Sequence, residues 1–179
     1  MSNLTTELSL RVLRELEYMP SNGLKKRIAN ELITLHKTGA YVNVETMQND
    51  ENISIKNSSI QITIILNNES TIYSFIVSND YPFKPPSQIY VNYKDYKKKL
   101  YIQSEKTKNE LNLFYGIPCL CCNTISCGNN WSPSIKLINF IDEHKKYKQY
   151  RVKILYNLLV TKIIDKYLYP DANLLEWLI

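Results

Sequence analysis

No apolar stretch in this 179-residue chain is long enough to span a bilayer, and Met1-Ser2-Asn3-Leu4-Thr5-Thr6-Glu7 lacks the basic start and apolar run of a signal peptide. No membrane role is expected, and the expected compartment is the cytosol or nucleus. There is neither an internal repeat nor a low-complexity linker. Glycine is scarce, with 4 residues, while Asn, Lys, Ile and Tyr are heavily used. That bias suggests AT-rich coding more than a structural demand and identifies no function. Cysteine is absent except at Cys119, Cys121, Cys122 and Cys127. A disulfide framework would staple distant parts of a chain, so this clustering points to chemistry or metal instead.

What is present fits one domain of ordinary size, long enough to bury a substantial core without metal or disulfide support. A hydrophobic fraction of 44% with 22% charged residues is the balance of a soluble globular protein. The net charge of +5 is mildly basic and favours acidic partners without naming them; acidic proteins and nucleic acid both fit.

Helical spacing of Leu8, Val12 and Leu16 predicts a helix before Pro20, with Thr5 or Thr6 as cap. A second helix is predicted from Ser21 to Gly39, burying Leu24, Ile28, Leu32 and Leu35. From Tyr41 the period changes to two. Residues 41–44, 53–55, 60–64 and 71–77 read as strands, with turns at Asn57-Ser58-Ser59 and Asn67-Asn68, and Gln88–Val91 as an additional strand. Short turns favour antiparallel neighbours, hence a meander covered by the preceding helix. Residues 92–113 are polar and lysine-rich and read as an insertion or long loop with a hairpin at Leu100-Tyr101-Ile102. Ser132 and Pro133 read as cap and first position of a helix buried through Ile135, Ile138 and Ile141. A further helix is predicted through Val152, Leu155, Leu159 and Ile163 to near Pro170, then a last turn through Leu174, Leu175 and Trp177 capped by Asp171.

Three motifs stand in order along this pattern. Tyr81-Pro82-Phe83-Lys84-Pro85-Pro86 makes a rigid, non-pairing exit from a sheet, because successive prolines fix torsions and remove amide donors. Gly116-Ile117-Pro118-Cys119-Leu120 carries the cysteine, and Trp131-Ser132-Pro133 follows. Together with Lys26-Arg27-Ile28 and Glu31-Leu32, they resemble the ubiquitin-conjugating enzyme family over roughly residues 21–143. The resemblance implies an α+β fold: an N-terminal helix packed on a four-stranded antiparallel meander, followed by C-terminal helices. It divides the chain into an N-terminal helical extension at 1–20, a core at 21–150 with an insertion at 92–113, and C-terminal helices at 151–179.

It also implies roles. Cys119 would take ubiquitin or a ubiquitin-like protein as a thioester from an activating enzyme and pass it to a substrate lysine, usually with a ligase. No cofactor is needed at that step. Phe83, Pro133 and Ser134 would meet the ligase, and Lys25, Lys26 and Arg27 the activating enzyme; for the three basic residues a solvated helix face is the plain alternative. For Cys119 the bland reading is a buried structural thiol. Cys121, Cys122 and Cys127 are rivals, either as reduced thiols on a loop or as zinc ligands, although a second well-spaced pair is absent. His36 and His144 read as surface or satisfied helix residues.

Two departures stand out. Where the family has a His-Pro-Asn tripeptide, this chain reads Asn109-Glu110-Leu111-Asn112-Leu113. Asn112, and also Asn109 or Asn123, are the candidates to replace its oxyanion-stabilising amide, a donor whose loss typically lowers rate by about a hundred- to a thousandfold. The acidic residue often found two positions after the nucleophile is replaced by Cys121. These departures keep two other readings open: a non-catalytic binding module of the same fold, and a small zinc-stabilised interaction domain. The interleaved tyrosines and lysines of 93–101 resemble a single-strand nucleic-acid binder locally, yet read as an exposed insertion, and no nucleic-acid partner is expected.

Overall fold

The computed structural model describes residues 14, 22–47, 59–67, 69–101 and 104–164. Of the helix predicted before Pro20 only Arg14 is among them, in helical conformation; the strand at 53–55, the turns beyond Pro170 and the predicted cap Ser21 lie outside.

Helix α1 spans Asn22–Lys37. Its stripe of Leu24, Ile28, Leu32 and Leu35 is buried as the spacing predicts. Gly39 ends it in the left-handed region at φ +87°, donating its N–H to the His36 carbonyl at 2.9 Å.

The sheet follows as β1 (Tyr41–Met47), β2 (Ser59–Ile65), β3 (Ile72–Val77), β4 (Gln88–Val91) and β5 (Lys94–Asp95), antiparallel and in sequence order. Helix α1 lies beside β1. Because side chains alternate along each strand, register decides which face each one occupies. The pairing aligns Val44, Ile62, Phe75 and Ile89 in one row, and Val42, Ile64, Tyr73 and Val91 in the next. All eight are buried, so each row is a continuous apolar seam across four strands.

The sheet thus has five strands where four were expected. Asn92 and Tyr93 both take positive φ, at 50° and 63°, and this two-residue turn folds β5 back on β4. Asn92 fixes the turn to β3: its N–H donates to the Ile72 carbonyl, and its Oδ1 accepts from the Ile72 N–H, both at 2.8 Å. A two-residue strand in a lysine-rich stretch gives no periodic signal.

Among the described residues four helices follow: α2 (Tyr96–Leu100), α3 (Glu105–Tyr115), α4 (Leu120–Asn123) and α5 (Leu137–Ile164). Most of the expected long loop at 92–113 is therefore ordered structure, and Leu100 ends a helix where a hairpin was expected. Tyr96 is buried, so the interleaved tyrosines and lysines of 93–101 do not form one exposed array.

Two helices were expected after Trp131; among the described residues a single helix of 28 residues forms there. No glycine or proline interrupts 137–164, so nothing breaks it. It starts at Leu137; Ser132 and Pro133 lie in a preceding turn closed by the Ile135 N–H on the Ser132 carbonyl at 2.9 Å. The buried stripe differs from the one predicted. Leu137, Phe140, Ile141, Tyr147, Ile154 and Leu158 are buried, whereas Val152 and Leu159 are exposed and Ile135, Ile138 and Leu155 half-exposed.

The chain divides into two units: Met1–Tyr96 with Trp131–Ile138, and Lys97–Asn130 with Asn139–Ile179. In the first, Glu31 is the polar centre, a carboxylate only 5% exposed on the apolar side of α1. Its Oε1 accepts from Arg27 Nε and, at 2.8 Å, from the Tyr81 hydroxyl; its Oε2 accepts from the Leu137 N–H at 2.8 Å. Arg27 also donates to the Ile135 carbonyl at 3.0 Å. Burial, and then the Glu31 charge, raises the Tyr81 phenol well above its usual range and keeps it a donor.

Replacing Glu31 with Ala strands three donors at once. We expect Glu31→Ala to lower the urea-unfolding free energy by about 3 kcal/mol, and Tyr81→Phe by about 1 kcal/mol.

Candidate functional site

In the first unit the Tyr81–Pro82 peptide is cis, and Pro82 offers its carbonyl to Trp131 Nε1 at 2.8 Å. The Tyr81 and Trp131 rings lie 6.0 Å apart between centroids. These contacts, with the Glu31 hydrogen bonds, bring the proline-rich loop and the Trp131 turn onto one support. On that support Phe83 is 78% exposed, and Pro133 and Ser134 are exposed as well. A large aromatic displayed this openly from a stiff loop contributes nothing to the core and is available to a partner.

The basic residues of α1 diverge. Lys26 is exposed and Lys25 half-exposed, but the Arg27 guanidinium is directed inward to Glu31 and the Ile135 carbonyl. Arg27 therefore has a structural use that a solvated-face reading does not include.

The second unit carries the cysteines. Helix α3 stops at Gly116, which takes φ +63° and returns its N–H to the Asn112 carbonyl at 2.8 Å. Ile117 is buried, Pro118 exposed, and Cys119 sits half-exposed as the residue capping the short α4. Leu120, 0% exposed, anchors the turn. The segment behind it is fixed by side chains that sequence reasoning did not single out. Glu143 on α5 accepts from Thr124 Oγ1 at 2.6 Å and from the Ile125 N–H at 2.7 Å. Asn130 Nδ2 donates to the carbonyls of Cys122 and Thr124, at 2.9 and 3.1 Å. The Tyr147 hydroxyl donates to the Asn123 carbonyl at 3.1 Å. The available signal was polar side chains on an otherwise apolar stripe: Glu143, His144 and Arg151 recur at three- and four-residue spacing with Phe140 and Tyr147, and all are buried.

The sulfurs are closer than reduced loop thiols would suggest. Cys119 and Cys121 are joined as a disulfide, and the Sγ atoms of Cys119, Cys121 and Cys122 lie within 4.8 Å of one another. Cys127, half-exposed, remains a free thiol, as does exposed Cys122. The tight turn of α4 gathers side chains that an extended loop would spread. Asn112 is exposed at the end of α3, where its backbone serves the helix cap. The Asn123 backbone is used on both sides, its N–H donating to the Cys119 carbonyl at 3.2 Å.

His36 is half-exposed, with Nδ1 3.3 Å from the Ala40 carbonyl oxygen. His144 is only 7% exposed, and burial, reinforced by the charges of Arg151, Lys99, Lys148 and Lys145, pulls its pKa down to about 4. No family model, no curated protein and no solved structure matches the chain. Among the described residues, no helix is long and apolar enough to cross a membrane.

Two expectations follow for the second unit. Glu143→Ala should speed amide exchange across 124–127 at least about tenfold, since it removes the acceptor that fixes Thr124 and Ile125. For His144 the folded value lies below the ordinary 6.5, so the unfolded chain binds the proton more readily. Its contribution is complete above about pH 6.5 and is lost as pH falls toward 4, with a slope of at most about 1.4 kcal/mol per pH unit. Urea unfolding across that window should show His144→Gln with a flatter acid limb than the parent.

Proposed function

We propose that the chain is a divergent ubiquitin-conjugating enzyme in which Cys119 carries ubiquitin or a ubiquitin-like protein as a thioester. The observation that supports this most directly is the setting of Cys119. It is a partly accessible cysteine on a short loop that Leu120 anchors from below and that Glu143, Asn130 and Tyr147 hold behind. Acyl exchange needs such a compromise: access for an incoming carbonyl, and enough shielding to slow hydrolysis. The antiparallel meander, and the exposure of Phe83, Pro133 and Ser134 on segments joined through Trp131 and Pro82, support the same reading from the other unit.

In the reduced protein, the Cys119 thiolate attacks the carbonyl of the activating enzyme's thioester, and that enzyme's cysteine leaves as thiolate. A substrate lysine amine then attacks the new thioester, forms an isopeptide bond and returns Cys119 as a thiol. Phe83, Pro133 and Ser134 receive the ligase. Exposed Lys26, with Lys25, faces the activating enzyme, while Arg27 supports the helix. Asn112 remains the candidate oxyanion donor. A non-catalytic binding module is the second reading, favoured by the bond that ties Cys119 to Cys121.

Reduced chain, activating enzyme, ATP and a panel of ubiquitin-like modifiers, run on a non-reducing gel, separate the two. The enzyme reading expects a thiol-sensitive adduct that disappears in Cys119→Ala. It expects Phe83→Ala to keep the adduct while ligase-stimulated discharge falls at least about tenfold. Absence of any adduct across the panel would favour the module.

A further inference from the structure

Cys119 and Cys121 are separated by a single residue, and that residue, Leu120, is buried while both cysteines are half-exposed. The anchored turn sets their Cα atoms 5.5 Å apart, within the range that a disulfide spans, and the two sulfurs are bonded. A thiol poised for acyl transfer is also a thiol exposed to oxidants, because the same thiolate character and access serve both reactions.

We propose that Cys119 and Cys121 form a hydroperoxide-responsive pair, with Cys121 as the resolving thiol whose bond to Cys119 closes the acyl-transfer site until a thiol reductant reopens it. The masking role rests on the proposed function; the pairing does not. In the first step the Cys119 thiolate attacks the terminal oxygen of a hydroperoxide. An S–O bond forms, the O–O bond breaks, and the leaving oxygen takes a proton as water or alcohol. The Cys121 thiolate then attacks the sulfenic sulfur, forming S–S and breaking S–O, and the released hydroxide takes up the proton that Cys121 gave up. Two electrons pass from the sulfurs to the hydroperoxide. A reducing dithiol reverses this by two exchanges and is itself oxidised. With the resolving sulfur this near, closure competes with further oxidation of Cys119 to sulfinic acid, which thiols do not reverse.

Cys122 is the neighbour that must be distinguished, since its Sγ is 3.9 Å from that of Cys121. The three sulfurs would also suit a thiophilic cation.

The test uses the full chain, reduced and desalted, then treated with hydrogen peroxide, alkylated and mapped by mass spectrometry. The expected product lacks two hydrogens across Cys119 and Cys121 while Cys122 and Cys127 remain alkylated. Peroxide should abolish the thioester adduct of the parent, and dithiothreitol should restore it. Cys121→Ser, reduced, should still form the adduct, but after peroxide it should lose the dithiothreitol-restorable fraction as Cys119 passes to sulfinic acid. Four results would overturn the proposal: both cysteines still alkylated after peroxide, Cys119 bonded to Cys122 instead, full recovery of Cys121→Ser, or near-stoichiometric zinc held by the three sulfurs in the unoxidised protein. A peroxide-formed Cys119–Cys121 bond in a chain that takes no adduct when reduced would instead overturn the proposed function and the masking role with it.

Discussion

A carboxylate taken out of water must be surrounded by donors or it destabilises the fold, and Glu31 satisfies that constraint by tying together parts of the chain remote in sequence. One of its oxygens holds Arg27 and Tyr81, the other the first amide of α5. The start of a long helix, ordinarily capped by its own preceding side chain, is here capped from a different helix. The position of the proline-rich loop, and so of Phe83, depends on the same few bonds together with that between Trp131 and Pro82. In the second unit Glu143 does the corresponding work, holding Thr124 and Ile125 from the side of α5. Each unit thus fixes its exposed loop to a helix through one acidic side chain, and apolar packing supplies the remainder.

This arrangement explains what was legible in the residues beforehand. Helix α1 and the strands β1 to β4 could be read because their apolar periods are regular and their ends carry turn chemistry, as at Gly39. The strand β5 and the helices α2 and α3 were not, since a polar, lysine-rich stretch conceals local structure that only the fold selects. Ser132 and Pro133 form a plausible helix start by composition, yet the turn they make ends before the helix does begin, because Glu31 supplies the cap at Leu137. The buried stripe of α5 was misread for a related reason. Its inward positions include Glu143, His144 and Arg151, and a reading that follows only apolar residues selects Val152 and Leu159 instead. At the site, Cys119, Phe83, Pro133 and Ser134 stood out by motif, whereas Glu143, Asn130 and Tyr147 act through backbone carbonyls and amides that no motif displays.

The cysteine segment combines stiffness and exposure in a way that suits group transfer. Leu120 is buried to the last atom while its neighbours on both sides remain partly open, so the turn is held at one residue and presented at the others. Hydrogen bonds from Asn130 and Tyr147 reach only backbone oxygens of this segment, so none of these bonds engages a sulfur. A site supported in this manner can change its side-chain chemistry without changing its scaffold.

The division of the chain into two units has an electrostatic corollary. Residues 1–96 and 131–138 contain ten lysines and arginines against ten aspartates and glutamates, whereas 97–130 and 139–179 contain twelve against seven. The whole excess of positive charge therefore belongs to the unit that bears the thiols. At physiological ionic strength the field of a surface charge reaches only about 8 Å, so an acidic protein that meets this unit is attracted by the unit's own charges. Encounter through the thiol-bearing unit would then slow as salt is added.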